Sequence, residues 1–195
     1  PLMSFGQITL EEILAIDNEQ SFKRTFIENG FQEETTEEES EKLVVYNKQI
    51  VNISIGASFR RSDSLSAKAV AISFSPDIFG KNDIYDGIYN KVKEECKFTG
   101  IRNELNMDLA FYLCPNENPD PELLELQKTI EKEFTGNFSL PDETKDLNIT
   151  NLEIGFVKHN DLYIILNPIY DQTENIKMIK QLIEFKRQAE KELNQ

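Results

Sequence analysis

The sequence predicts an α+β fold, with a largely antiparallel sheet of about six strands and amphipathic helices packed on one face. Apolar residues recur at both the strand period and the helix period. The strand-like segments do not alternate one-for-one with helices, as a parallel doubly wound fold requires. The chain has 195 residues, 39% hydrophobic and 29% charged, which suits one ordinary domain. We therefore expect a single α+β domain over residues 7–195.

Two short helices are predicted near the start. Thr9 and Glu12 have the spacing of a capping box, and a second capping signal lies at residues 17–20. Gly30 suits the left-handed C-cap that would end the second helix. Residues 32–41 then carry six Glu and no aliphatic or aromatic residue, which predicts a solvated loop. A carboxylate metal site is the alternative interpretation of this segment.

Strand-like runs dominate the rest of the chain. The predicted strands are residues 43–46, 51–59, 70–74, 107–113, 152–156 and 162–166. We expect the first three to form a meander with one wet face and the last two to form a hairpin. Helical patterns begin at Asp83 and at Pro121 and cover residues 174–193. Residues 137–148 are predicted to be a long surface loop.

The two cysteines, Cys96 and Cys114, are predicted to form a disulfide. If residues 97–101 are extended and the chain turns at residues 103–106, a hairpin centred near residue 105 sets position 96 opposite position 114. Opposed α-carbons in an antiparallel pair lie within the distance that a disulfide tolerates. The alternative keeps Cys96 on the preceding helix as a small buried hydrophobe.

That hairpin also predicts cross-strand neighbours. Phe98 would face Tyr112, and Gly100 would face Ala110.

Four residues are candidate ligand contacts. Tyr85 and Tyr89 lie on one helical stripe and could form a stacking platform for a sugar or a base, although aromatic residues at helical spacing commonly pack in the core. Arg60 and Arg61 follow the clearest strand and could grip a carboxylate or phosphate. The alternative for this pair is a surface charge that balances an acidic chain.

Catalytic motifs are sparse. The single histidine, His159, lies in a predicted hairpin turn, where polar residues are expected in any case. One His and two Cys fall short of the usual zinc ligand sets, and no glycine-rich phosphate loop occurs. The sequence therefore assigns no catalytic residue, no metal ligand and no cofactor. Paired carboxylates remain the open catalytic option.

The charge balance limits the partners. Lys and Arg number 21 against 35 Asp and Glu, which gives a net charge of -14. Such a chain repels polyphosphates and anionic lipids, so we expect no nucleic-acid binding. No apolar run approaches the roughly 20 residues that a membrane helix needs, so no integral membrane segment is expected.

The first residues carry a pattern typical of export. Ser4 and Gly6 precede Gln7 with the small-x-small spacing of a signal-peptide cleavage site. The run Ser4-Phe5-Gly6-Gln7 resembles export signals of Bacteroidota, a resemblance that covers only the first seven residues. The arrangement of helices, meander and cysteine pair resembles exported Bacteroidota proteins of uncharacterised function. The resemblance implies a periplasmic or secreted protein, with residues 1–6 as a signal-peptide remnant and a mature chain that starts at Gln7. A flexible N-terminus or a tag remnant is the alternative.

Three functional hypotheses follow. The leading one is an exported, non-catalytic domain that binds a protein or a small ligand. The second is an acidic inhibitor or immunity-type protein, whose charge would steer it to a basic enzyme. The third is a small carboxylate-dependent hydrolase.

Overall fold

The computed structural model describes residues 7–38, 41–50, 52–61, 68–116, 121–133, 151–159, 161–169 and 172–193. The chain divides into two compact units: Pro1–Cys114 with Glu153–Tyr170, and Pro115–Leu152 with Asp171–Gln195. The expectation of a single domain over residues 7–195 stays a prediction, since compact units are not by themselves separate domains. The predicted leader residues 1–6 and the predicted loop 137–148 lie outside the described residues.

The main feature is an eight-stranded sheet in the order β1-β2-β3-β4-β8-β7-β6-β5. The strands are β1 (Gln32–Glu38), β2 (Glu41–Ile50), β3 (Ile53–Arg61), β4 (Lys68–Phe74), β5 (Lys97–Glu104), β6 (Met107–Pro115), β7 (Asn151–His159) and β8 (Leu162–Ile169). The six pairings with a defined register are antiparallel. The α+β class is therefore the predicted one, with eight strands in place of six.

The described residues form five helices. They are α1 (Leu10–Leu14), α2 (Glu19–Glu28), α3 (Asp83–Glu95), α4 (Pro121–Glu133) and α5 (Gln172–Leu193). The capping box of Thr9 and Glu12 is present at α1. The N-cap of α2 is Asn18, inside the predicted signal, and Gly30 has the expected positive φ of 77°.

The glutamate-rich segment is a strand, so the prediction of a loop over residues 32–41 is wrong. Strand β1 pairs with β2 from Gln32 opposite Asn47 to Glu38 opposite Glu41. Glu33 accepts a hydrogen bond from the hydroxyl of Tyr46, 3.0 Å away. Because β1 is the last strand on its side of the sheet, the exposed carboxylates of Glu33 and Glu34 can stay hydrated while the backbone pairs.

Helices α1, α2 and α3 pack on one face of this sheet, as their buried residues show. Phe22 and Phe26 of α2 lie against Tyr46 of β2, with ring centroids 5.5 and 6.2 Å away. Two buried polar contacts join helices to strands: the Asn167 amide donates to the carbonyl of Ile13 at 2.7 Å, and the Lys48 ammonium to that of Asn29 at 2.6 Å. These bonds satisfy polar groups that would be costly to bury unpaired.

The opposite face is also buried over the middle of the sheet. Ala69, Ala71 and Leu166 form a second apolar cluster there with Leu109 and Phe111. The prediction that the meander has one wet face is therefore wrong at β4. Strands that are buried on both faces read as continuous apolar runs, as residues 69–72 do.

The second unit contains α4 and α5. Lys180 of α5 donates to a carboxylate oxygen of Glu122 in α4 at 2.5 Å. Leu126 and Ile183 are buried. Among the described residues, no helix combines the length and the apolar character needed to cross a bilayer.

Candidate functional site

The predicted disulfide between Cys96 and Cys114 is present, with α-carbons 4.4 Å apart. Helix α3 ends at Glu95, and Cys96 has extended backbone angles, so the alternative of a helix continuing through Cys96 does not apply. The bond ties the start of β5 to the end of β6. It anchors the hairpin that forms one side of the sheet.

The register of this hairpin contains a bulge that the sequence analysis did not include. Phe98 faces Tyr112 as predicted, but Gly100 faces Phe111 and not Ala110. The shift arises at Thr99, whose hydroxyl donates to the carbonyl of Phe111 at 3.1 Å. Gly100 tolerates the required φ of 148°, a backbone conformation that side chains disfavour.

The bulge is what aligns the two cysteines. The turn occupies only Leu105 and Asn106, both with positive φ, and Glu104 faces Met107. In an unbulged hairpin with that turn, Cys96 would face residue 115. One extra residue in β5 shifts the register by one position, so Cys96 lies opposite Cys114.

The same shift brings two exposed apolar side chains to one face. Phe98 faces Tyr112 and Ile101 faces Ala110, and residues two apart on a strand share a face. Without the bulge, Phe98 and Ile101 would point to opposite faces, because they are three positions apart. Phe98 is 52% exposed and Ile101 is 68% exposed.

Helix α3 adds an aromatic ring and a cation beside them. Tyr89 lies edge-on to Tyr112, with centroids 6.2 Å apart, and Tyr112 lies edge-on to Phe98 at 5.4 Å. The Lys93 ammonium lies 5.0 Å from the centre of the Tyr89 ring. We call Tyr89, Lys93, Phe98 and Ile101, with Tyr112 beneath them, the β5 surface.

The hydroxyl of Tyr112 is a neutral hydrogen-bonding group at physiological pH. Burial, together with the hydrogen bond to Tyr89, raises the pKa of Tyr112 to about 12. The two hydroxyl oxygens lie 3.4 Å apart. The β5 surface thus offers apolar area, two adjacent phenol hydroxyls and one ammonium group, which are groups suited to binding.

The structure separates the four predicted ligand residues. Tyr89 lies in the β5 surface, whereas Tyr85 is only 2% exposed and packs against Phe74 and Tyr163 in the core. Arg60 and Arg61 lie in β3, which four strands separate from β5, and their side chains lie outside the described part of the chain.

Phe98 and Ile101 were not predicted as site residues. A glycine inside a strand pattern signals a bulge, and Gly100 is that signal. It could have shown that Phe98 and Ile101 share a face, although their exposure depends on the rest of the fold.

The other chemical candidates lie apart from this surface. His159 is exposed at the end of β7, where it faces Leu162 in the hairpin that the sequence predicts. Within the described ranges, no group of three or more His, Cys, Asp or Glu residues is arranged to hold a metal ion.

A second exposed apolar pair, Ile78 and Phe79, lies in the turn between β4 and α3. An Asp77 carboxylate oxygen accepts from the backbone N–H of Phe79 at 2.8 Å. The hydroxyl of Tyr163 donates to the carbonyl of Gly80 at 2.6 Å. The turn is well braced, but it presents two adjacent side chains and lacks the strand backbone that β5 adds.

Comparison with protein-family models, with curated proteins and with solved structures found no match for this chain. What the β5 surface can do therefore follows from its own geometry and chemistry.

Proposed function

We propose that this chain is an exported, non-catalytic domain that binds another protein through the β5 surface. The observation that carries the proposal is the placement of Phe98 and Ile101, two large apolar side chains more than half exposed, on the same face of an outer strand. Large apolar groups left in water gain free energy when a partner covers them.

The two outer strands of the sheet differ in a way that favours this proposal. Strand β1 carries Glu33 and Glu34 among its seven residues, and its sequence QEETTEE contains no apolar residue. Charged side chains on an outer strand discourage pairing with other chains. Strand β5 also carries charged residues, but it exposes Phe98 and Ile101 as well and so offers a partner the apolar area that β1 lacks.

Export is supported by the disulfide between Cys96 and Cys114. Disulfides persist in oxidising compartments and are rare in the cytosol. The proposed location is therefore the periplasm or the extracellular space.

The proposal is tested by replacing Ile101 with Ser and, as a matched control, Ile27 with Ser. Ile27 is a comparable residue on α2, 57% exposed against 68% for Ile101. Proteins retained from the native extracellular or periplasmic fraction by the wild-type chain are identified, purified and titrated by calorimetry. We expect Ile101→Ser to weaken binding about tenfold or more, since truncating a central interface residue costs over 1 kcal/mol, and Ile27→Ser to leave it unchanged.

Equal weakening by both substitutions, or by neither, would contradict a role for the β5 surface. Both variants should retain the wild-type circular dichroism spectrum, because both positions lie on the surface.

A further inference from the structure

We infer that the β5 surface takes an extended segment of the partner, which adds to the sheet as a ninth strand and alternates apolar with acidic residues. This inference rests on the proposed function and specifies how the partner binds. It follows from the backbone, the side chains and the charges of β5.

The backbone supplies the first argument. Strand β5 is the last strand on its side of the sheet, after β6. Beyond the bulge at Thr99, the outer side of residues 101–104 presents backbone N–H and C=O groups in the geometry that another strand pairs with. Strand addition obtains its affinity from those main-chain bonds and its specificity from alternate side chains.

The side chains on one face call for apolar partners. Phe98 and Ile101 project from β5 on the face that α3 covers, beside Tyr89. An added strand would place every second side chain on this face. Apolar residues at those positions would cover Phe98 and Ile101.

The other face of the same edge carries the cations Lys97 and Arg102, followed by the buried Glu104. Lys97 precedes Phe98 by one residue, so it points to the opposite face, and it is exposed. Arg102 points the same way and forms an ion pair with Glu153 at 2.6 Å. Acidic residues at the remaining alternate positions of an added strand would therefore meet Lys97.

Lys93 adds a second cation at the rim of the apolar face. It lies one helical turn after Tyr89, whereas Glu94 is five residues after Tyr89 and so about 140° round the helix. The net charge of -14 is spread over the chain, and at physiological salt charges beyond about 8 Å are largely screened. Lys93 and Lys97 are therefore the cations that the added strand would meet.

These charges also distinguish a foreign segment from a second copy of this chain. Two copies joined through β5 would bring the exposed Lys97 of each copy to one junction. Repulsion between these like charges opposes self-association. An acidic, apolar segment from another protein fits the edge better.

The test uses labelled eight-residue peptides and fluorescence anisotropy. The first peptide alternates Val with Asp, and the second alternates Val with Lys. Two further versions of the Val–Asp peptide are N-methylated, one at the backbone nitrogens of Val and the other at those of Asp. Alternate N–H groups of a strand point to the same side, so only one of the two methylated versions loses its bonds to β5.

We expect the Val–Asp peptide to bind the wild-type chain and the Val–Lys peptide to bind at least about tenfold more weakly. One methylated version should lose about tenfold or more in affinity, which corresponds to ~1.4 kcal/mol, while the other binds nearly as well as the parent. Ile101→Ala should weaken binding by a similar factor, with Ile27→Ala as the unchanged control. Lys97→Glu should reverse the preference between the Asp and Lys peptides.

Other outcomes overturn the inference. If both methylated versions bind like the parent, side-chain docking replaces strand addition while the proposed function stands. If no peptide binds but a partner protein still depends on Ile101, the segment is not of this class, and again only the inference fails. Concentration-dependent dimerisation in sedimentation velocity, abolished by Ile101→Ala, would show that the occupant is a second copy.

Discussion

Gly155 of β7 lies directly against the ring of Phe111 in the second apolar cluster. A β-carbon added at Gly155 would lie 2.8 Å from Cε1 of that ring, a distance at which Phe111 must move. Phe111 is fully buried, and buried rings have little room to shift in a close-packed interior. The absence of a side chain at this position is therefore a packing requirement.

We predict that Gly155→Ala lowers the free energy of unfolding by about 1–3 kcal/mol through overpacking. Gly87 provides the matched control, because it lies in the middle of α3 with nothing within 4 Å of an added β-carbon. Gly87→Ala should raise stability by about 0.5–1 kcal/mol, since it reduces the conformational freedom of the unfolded chain. Denaturant unfolding of both variants shows whether each substitution lowers or raises the free energy of unfolding. If the Gly155→Ala protein were as stable as the wild type, the Phe111 ring could move aside without a cost in free energy, which would contradict the prediction.

At the level of elements, the connection from α3 to the β5–β6 hairpin depends on one covalent bond. Cys96 is the first residue after α3 and Cys114 lies near the end of β6. The bond closes a loop with a sequence separation of 18. In the unfolded chain this closure removes conformations, which stabilises the folded state by comparison.

We predict that the double variant Cys96→Ser/Cys114→Ser is less stable than the wild type by about 3 kcal/mol, the value expected for a loop of this length. Chemical denaturation measures the difference. A reducing agent should lower the stability of the wild-type chain by a similar amount and leave the double variant unchanged. Two thiols titrated in the unfolded, unreduced protein would contradict the bond itself.

For the whole molecule, buried tyrosines make stability depend on alkaline pH. Burial and a hydrogen bond to Glu33 raise the pKa of Tyr46 to about 12, and burial likewise raises the pKa of Tyr112 to about 12. Burial raises the pKa of Tyr85 as well. Burial lowers the pKa of Lys48 from its ordinary value, which acts in the opposite sense.

We predict that stability falls as the pH rises from about 10 to about 12. In this range an unfolded tyrosine, with a pKa near 10, has lost its proton while the folded one keeps it, so deprotonation favours unfolding. Lys48 opposes this trend only up to about pH 10.5, where the unfolded lysine also deprotonates. Thermal unfolding between pH 8 and 12 measures the decline, and Tyr112→Phe should make it shallower. Simultaneous ionisation of all six tyrosines near pH 10 in the folded protein would contradict it.

The sequence by itself determined the features that depend on neighbouring residues. The capping box at Thr9, the glycine cap at Gly30 and the helix start at Pro121 all follow from local backbone chemistry. The alternation of apolar and polar residues along β3 predicted a strand, because this pattern too depends only on residues close together in the chain. The disulfide could be predicted from the sequence because both cysteines belong to one short hairpin.

Tertiary structure decided which surfaces are covered and which strands pair. The glutamates of β1 predict a loop, but they form a strand because β2 pairs with their backbone. Ala69 and Ala71 were expected on a solvent-exposed face, but the second apolar cluster buries them. The exposure of Phe98 and Ile101 has the same origin. Periodicity records what a residue's chain neighbours favour, whereas burial and strand pairing depend on distant segments that are brought together only on folding.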